Sequence, residues 1–496
     1  RSLTKHCIIS SSPLINRRRR QNKRLTTRFD LGMDNTELAE PNLIQKLFLS
    51  LVRQDGKGDR VVCEEPYAVI LLRLASWGVL LLFHALTVWL MLFAKTDMHK
   101  MALVWCGLEW MFYAGCVLRT KFGRPVSPPV QISDARRRQV IEEILHEEGI
   151  SHAIPGWFLP AEREMVTEEQ AREWAAFSFY GVRVDELASK ERDYIDSWLA
   201  KLQEKHEFKF CTRDVERQYM GPMIPEIQQR HLPLAWYFWY DSVKLIFGVF
   251  LLRLGFQRLY TKRHTYWYLD GDDERDPVFF VHGSGSDTSP YFIKFLRFKM
   301  MYPGRRAILL DLPYVALTPT LTVPSMEDIL TTVDSIFNRH SLTKCSFGGH
   351  SYGSFVVSEI VKKRPHIVSR LLLIDPVCFV TWDPTLIRAF SFLPYGNVIQ
   401  RCMHYFICLD PFMHNTNVSH PHWIENILLP SDIHFPTTVM LSEFDFLINV
   451  PLILQYLINC KKNNSDLDLT IVHNKDFTHS SYLLSTNSLD DALRAM

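Results

Sequence analysis

Close pairs of cysteine are missing from this chain. Its ten cysteines (Cys7, Cys63, Cys106, Cys116, Cys211, Cys345, Cys378, Cys402, Cys408 and Cys460) stand apart, several of them inside apolar runs. That spacing excludes the common zinc-ligand patterns and suits buried free thiols better than a disulfide framework, so a reducing compartment is expected. Net charge is also scarce. A balance of +2 over 496 residues is too small a basic excess for a nucleic-acid-binding protein. There is no internal repeat, and no apolar run follows the N-terminal basic residues promptly enough to make a secretory signal. Acids are absent from the first 29 positions, which hold nine Lys or Arg, with Arg17-Arg18-Arg19-Arg20 at their centre. This is the composition of a mitochondrial presequence or its processed remnant; a phosphate-binding arm that touches lipid is the competing reading. The chain opens on Arg1 rather than methionine, so an upstream piece is expected.

What is present is a hydrophobic fraction of 47% against 22% charged residues, enough for substantial cores and for two or more domains. Residues 68–94 are almost wholly apolar, interrupted only by Arg73 and His84. As a helix they would span roughly 40 Å, more than the ~30 Å hydrocarbon layer of a bilayer. A second run, Met101 to Leu118, carries Glu109 and returns through the bilayer only if that carboxyl is protonated or paired. A third stretch, Leu234 to Leu252, begins with Trp236-Tyr237-Phe238-Trp239-Tyr240 and reads equally as an interfacial helix or as one packed on the downstream domain. Between these runs, Val130 to Leu145 and Thr167 to Lys205 show apolar residues at helical spacing among charges, and read as surface or partner-contacting helices. The expected organisation is a basic extension over 1–60, an apolar helical hairpin over 61–125, a helical region over 126–264, and an α/β domain over 265–496.

Period-two patterning begins near Thr265. Strands are expected at Thr265–Tyr268, Pro277–Val281, Ala307–Leu310, Lys344–Phe347, Leu371–Ile374, Thr437–Leu441 and Leu469–Val472. Helical stretches separate most of them, which predicts a mostly parallel sheet covered on both faces, with the chemical loops at the carboxyl ends of its strands. Two of those loops stand out. His282-Gly283-Ser284-Gly285 follows one strand; it lacks the third glycine of a dinucleotide-binding turn, and no cofactor is implied. Gly349-His350-Ser351-Tyr352-Gly353 lies between a strand and a helix. A serine on so sharp a turn is lifted clear of the backbone, and a side chain at either glycine would crowd it. Its hydroxyl needs a nearby base to become a nucleophile. His420-Pro421-His422 has no third ligand in view and is left as surface, so no metal site is expected.

From about Tyr266 to Leu484, a little under half its length, the chain resembles an α/β-hydrolase. The resemblance rests on His282-Gly283-Ser284-Gly285, Gly349-His350-Ser351-Tyr352-Gly353, Ser442-Glu443-Phe444-Asp445 and His479, in the order that family uses. It implies Ser351 as nucleophile, His479 as base (with His473 the alternative) and Asp445 as acid (with Asp375 the alternative, one strand earlier). It also implies oxyanion donors from the amide of Tyr352 and from Gly283 or Ser284. Residues 379–430 read as a cap rich in aromatic side chains, including Trp382, Phe390, Phe406, Phe412 and Trp423. Such a cap suits a hydrophobic ester, a cap core of its own, or contact with the N-terminal helices. Three functions follow. The first is a membrane-associated serine hydrolase acting on a hydrophobic or lipid-like ester through an acyl-enzyme. The second is an acyltransferase using the same residues. The third is a structural subunit of a complex in the mitochondrial inner membrane that retains the fold.

Overall fold

The computed structural model describes residues 97–122, 131–159, 165–212, 217–224, 227, 229–272, 274–320, 322–392, 403–420, 422–483 and 485. The basic first 60 residues and the apolar run at 68–94 lie outside them, so the expected hairpin is described only in its second half. That half is a helix, Asp97–Phe122. Among the described residues it is the one helix long and apolar enough to cross a membrane, over His99–Arg119.

Two short strands, β1 (Phe158–Leu159) and β2 (Gln218–Tyr219), pair antiparallel among the helices Asp134–Leu145, Ile150–Gly156, Glu168–Tyr180 and Ser189–His206. The main sheet has eight strands: β3 (Phe256–Tyr260), β4 (Thr265–Leu269), β5 (Val278–Val281), β6 (Ala307–Leu310), β7 (Cys345–His350), β8 (Val368–Ile374), β9 (Thr437–Phe444) and β10 (Leu469–Thr478). Their spatial order is β10-β9-β8-β7-β5-β6-β4-β3. The six strands from β6 to β10 in that order pair in parallel; β4 pairs antiparallel with β6, and β3 antiparallel with β4, so only β4 runs against the rest. β5 (Val-Phe-Phe-Val) and β6 (Ala-Ile-Leu-Leu) are apolar at every position because helices bury both of their faces. One apolar core, containing Phe279, Ile308, Phe347 and Leu373, fills one side of the sheet; a second, with Trp267, Phe280, Phe295, Leu309 and Leu372, fills the other.

The sheet starts at Phe256, inside the region expected to be helical. Gly255, at φ +92°, ends the preceding helix, and the chain turns straight into β3. β3 is an edge strand paired only with β4, so Gln257, Arg258 and Tyr260 stay exposed and the alternation that marks a strand is blurred. β10 is also longer than the expected Leu469–Val472. A register shift between Asn474 and Thr478 carries it six residues further, which hides it from a simple period-two reading.

The helices over 134–206 make their main contact with the same chain. Trp174, Phe179 and Trp198 are buried and belong to the apolar core that continues into the sheet. Trp174 stacks on Trp423 of the cap at 6.3 Å between ring centroids, and Trp157 Nε1 donates to the Trp382 carbonyl at 2.7 Å. Arg136 forks onto both carboxylate oxygens of Asp432 at 2.8 and 2.6 Å. Phe412 and Phe406 of the cap likewise stack on Phe112 and Trp236. Much of the cap's aromatic content thus faces the N-terminal helices.

The helices Asp97–Phe122 and Leu234–Arg253 are joined by Glu109. Its buried carboxylate accepts the backbone N–H groups of Leu234 at 2.7 Å and Ala235 at 2.8 Å, the unsatisfied donors at the positive end of the second helix. That is the partner its place in an apolar run demands. Cys106, Glu109 and Cys116 turn inward, while Met101, Val104, Leu108, Met111 and Leu118 form an exposed stripe at helical spacing. The second helix is half of each reading offered for it: Tyr237, Gly248 and Leu251 pack on the domain, whereas Phe238, Trp239, Leu245, Ile246, Val249 and Phe250 face outward.

Because the core is continuous, Trp174→Ala is expected to cost about 3–5 kcal/mol and to lower the urea midpoint of the whole described protein in one transition. An independent early transition confined to the helical region would count against a shared core.

Candidate active site

β5 is the switch point of the sheet, with β6 on one side and β7 on the other. Val281, the last residue of β5, is in register with Gly349 of β7, so the loops that follow the two strands emerge side by side. Ser351 follows β7 at φ +50°, a left-handed conformation that a side chain adopts only at a cost of about 1–3 kcal/mol. The turn closes because its glycines leave room. A Cβ on Gly349 would lie 2.9 Å from the Gly353 carbonyl oxygen, and one on Gly353 would overlap the Val281 carbonyl. The Ser351 N–H donates to Ile374 O at 3.0 Å, tying the turn to β8, and the helix Gly353–Lys363 begins two residues later.

Thr478 of β10 pairs with Phe444 of β9, so the next residues on these parallel strands, His479 and Asp445, are neighbours. His479 Nδ1 lies 2.6 Å from Asp445 Oδ2, and its Nε2 lies 3.0 Å from Ser351 Oγ. An ionised carboxylate can only accept, so the proton sits on Nδ1 and Nε2 is left with a lone pair toward the serine hydroxyl. Ser351 is 6% exposed and His479 8%, beneath the cap. Asp445 is itself held by the Leu447 N–H on Oδ1 at 2.8 Å.

The other candidates fall elsewhere. His473 sits 2.6 Å from Glu443 at the end of the sheet, a close charge contact with no part in this cluster. Asp375 stands beside the cluster without bonding to His479. Its Oδ1 accepts the Ser442 N–H at 3.1 Å and its Oδ2 the Ser480 N–H at 3.0 Å, so it ties together the loops that carry Asp445 and His479. Gly283 differs from expectation as an oxyanion donor. Its N–H is given to the Tyr291 hydroxyl at 3.0 Å, because the loop turns that amide inward. The amides of Ser284 and Tyr352 carry no hydrogen bond among the described residues, and the loop lies close: a Cβ on Gly283 would be 3.0 Å from Ser351 Cβ.

Three further residues support the site: His350, whose place on the turn already pointed it away from Ser351 toward structural support, and Tyr291 and His420, which escaped the sequence reading. Tyr291 OH bonds His350 Nδ1 at 2.6 Å, and His350 Nε2 reaches Ser480 Oγ at 3.2 Å, so a buried neutral imidazole links the oxyanion loop to the base loop. Burial, reinforced by the neighbouring His479, holds His350 well below the ordinary imidazole value. His420, expected at the surface, is turned inward: its Nδ1 meets the Tyr352 hydroxyl at 2.6 Å and its Nε2 the Pro324 carbonyl at 3.0 Å. Burial pulls it down to about 4, so it stays neutral. The place of His350 on the glycine-flanked turn was a signal for its role; nothing marked Tyr291. His420 gave no signal, because its partners lie 68 and 96 residues away.

Strain gathers here as well. Of the seven non-glycine residues at positive φ among those described, Ser351, Asp375 and Ser480 belong to this cluster. Asp375, Asp445 and His479 also place ligand atoms within 4.8 Å of one another. Each already has protein partners that account for its position. Burial, with the charge of Asp445 beside it, pushes Asp375 up to about 7. For His479, burial opposes the charged form, but attraction to Asp445, their hydrogen bond and the field of Asp375 outweigh it, and its pKa is raised.

The sign for reactivity follows. Only unprotonated His479 can take a proton from Ser351, and a raised pKa keeps the imidazolium present above pH ~6.5. The rate of Ser351 modification by an electrophile should therefore fall as pH drops, with a midpoint above the ordinary imidazole value. Asp375→Asn, which removes one raising charge, should move that midpoint lower.

Residues 278–451 match the family model described as the Alpha/beta hydrolase family. No curated protein sequence matches the chain. Among solved structures, a bacterial membrane phospholipase A described as a virulence factor is 16% identical, covering 52% of this chain and 93% of its own, with a TM-score of 0.35. An alpha/beta hydrolase from a Medee basin deep-sea metagenome library is 15% identical (48% and 96% covered, TM-score 0.36). Naproxen esterase (carboxylesterase NP) from Bacillus subtilis is 13% identical (51% and 95% covered, TM-score 0.36). Likenesses of this size carry no argument about activity. The domain built on strands β3 to β10, with its match over residues 278–451, belongs to the alpha/beta hydrolase superfamily.

Proposed function

We propose that the protein is a serine hydrolase that cleaves a carboxylic ester of hydrophobic or lipid-like character through an acyl-enzyme. The supporting observation is the hydrogen-bonded chain Ser351 Oγ–His479–Asp445 beside the uncommitted amides of Ser284 and Tyr352. Ser351 Oγ attacks the ester carbonyl carbon while His479 Nε2 takes its proton. Charge builds on the carbonyl oxygen, toward which the two amides would donate. Collapse expels the alcohol, which regains the proton from His479, and water then repeats the sequence to release the acid. Asp445 holds the tautomer and balances the imidazolium throughout.

The lipid-like substrate class and a membrane location are supported by the outward apolar faces of Asp97–Phe122 and Leu234–Arg253. The second of these helices reaches the site. Tyr240 OH accepts the Asp287 N–H at 3.2 Å, in the loop after Ser284, and Trp236 stacks on Phe406 of the cap at 4.7 Å. The acid-free basic stretch over the first 29 residues supports mitochondrial import, with the inner membrane as destination.

A fluorophosphonate should label the full-length protein, and Ser351→Ala should abolish labelling. Asp445→Asn should lower turnover of a short-chain aryl ester about 10⁴-fold. Failure of the folded protein to label would favour the structural-subunit reading, and formation of a new ester when glycerol is added would favour acyl transfer. In cell fractions the protein should remain in the mitochondrial membrane pellet after alkaline carbonate; release into the supernatant would contradict an integral membrane location.

A further inference from the structure

Phe446 and Leu447 directly follow Asp445, and beyond them lies a half-open cavity of about 390 Å³ bordered by the helix Ile150–Gly156 and two segments of the cap. The cavity lies next to the candidate base and the glycine-rich loop. Phe446 lies 6.1 Å from the His479 ring between centroids. Ile407, between the lining residues His404 and Cys408, fills the space beside Gly285, where an added Cβ would meet it at 2.7 Å.

Its lining is not that of an acyl-chain tunnel. Arg388 is the one arginine or lysine among the lining residues. It is half-buried, and among the described residues its only hydrogen bond is a long one, from Nη1 to the Gly156 carbonyl at 3.4 Å. A guanidinium carries five N–H donors and no acceptor, so most of this one's donors are uncommitted. The nearby carboxylate does not use them. Asp383 accepts the Thr385 N–H on Oδ1 at 2.9 Å and Asn449 Nδ2 on Oδ2 at 3.2 Å, and forms no ion pair with Arg388. Burial, opposed by the field of Asp383, pulls the arginine below its ordinary value, the mark of a cation withdrawn from water without a full counter-charge. On the same wall the buried His404 Nδ1 has no hydrogen-bond partner among the described residues.

We propose that this cavity binds an oxyanion, a carboxylate or a phosphate, on Arg388, and that it receives the part of the substrate remote from the ester carbonyl. A planar guanidinium fork matches two oxygens of such a group. A volume of about 390 Å³ accommodates a compact charged headgroup and a few carbons. The substrate half of this statement rests on Ser351 being the nucleophile; the anion-binding half does not. It also gives the N-terminal helices a part in selectivity, since His152 and Gly156 complete the wall.

The test has two arms. In the first, full-length Ser351→Ala protein is titrated by calorimetry with inorganic phosphate, glycerol 3-phosphate and, as control, glycerol. Both anions should bind, glycerol should not, and adding Arg388→Gln should weaken binding at least tenfold. Competition by phosphatidate vesicles but not phosphatidylcholine vesicles would assign the anion to a lipid headgroup; no competition by either would assign it to a soluble phosphate. Absence of anion binding, or binding that Arg388→Gln leaves unmoved, overturns the proposal. In the second arm, kcat/KM is compared for p-nitrophenyl butyrate and p-nitrophenyl hemiglutarate. The ratio of anionic to neutral ester should fall about tenfold in Arg388→Gln and partly recover in Arg388→Lys. Equal losses on both esters would mean a merely structural arginine. Should Arg388→Gln not fold, the same ratio in the unsubstituted protein should fall as salt is raised, and a salt-independent ratio would count against the site. Retained anion binding with no fluorophosphonate labelling would remove the nucleophile reading alone.

Discussion

The close approach of the turn at Gly349–Gly353 to the end of β5 is the contact on which the rest of the site depends. With no side chain on Gly353, the start of the following helix can sit against the Val281 carbonyl, and Ser351 can hold φ +50° at the crest. Strain of that kind persists only where surrounding structure over-determines it. Here it is held by the Ser351 N–H on Ile374, by the Ser354 hydroxyl on the Ser351 carbonyl at 2.6 Å, and by the Val377 N–H on the Ser354 hydroxyl at 2.9 Å. The same approach brings the loop after β5 alongside, which is why Ser284 and Tyr352 can offer amides to one place.

Asp375 plays the complementary part across the sheet. A carboxylate just past β8, accepting one backbone donor from Ser442 near the end of β9 and another from Ser480 just beyond β10, fixes the spacing of the two segments that deliver Asp445 and His479. It also adds to the field of Asp445, the main influence that raises the buried imidazole, so one side chain contributes to both geometry and basicity. His350 and Tyr291 do the same work on the opposite side with neutral groups, which avoids placing a second positive charge beside His479.

The N-terminal region is bound into this arrangement. Its tryptophans share the core with the cap, Arg136 clasps Asp432, and Glu109 caps the helix whose Tyr240 touches the loop after Ser284. A buried carboxylate in an apolar helix is tolerable because its charge falls on the positive end of another helix. Outward from the same pair of helices runs the largest exposed apolar surface among the described residues, next to the oxyanion loop and the cap.

How much of this was legible in the sequence follows from the range of the forces involved. Apolar runs bounded by turns marked β5, β6 and the second half of β8, because strands covered on both faces are mostly apolar, while β7 was marked by the glycine-flanked turn that follows it. Gly349 and Gly353 around Ser351 marked the turn, because no other residue fits there. β3 was missed because an edge strand is freed from alternation, and the length of β10 because a register shift breaks its period. The inward turn of His420, the use of the Gly283 amide by Tyr291, and the division of labour between Asp445 and Asp375 depend on partners dozens of residues away, and no local pattern carries that information. The sequence by itself determined which stretches are strands, where the backbone must be bare, and which residue types are available for chemistry. Tertiary structure alone decided which carboxylate meets which nitrogen and which amides stay free, because these follow from strand register and from burial, and both exist only once distant segments have packed together.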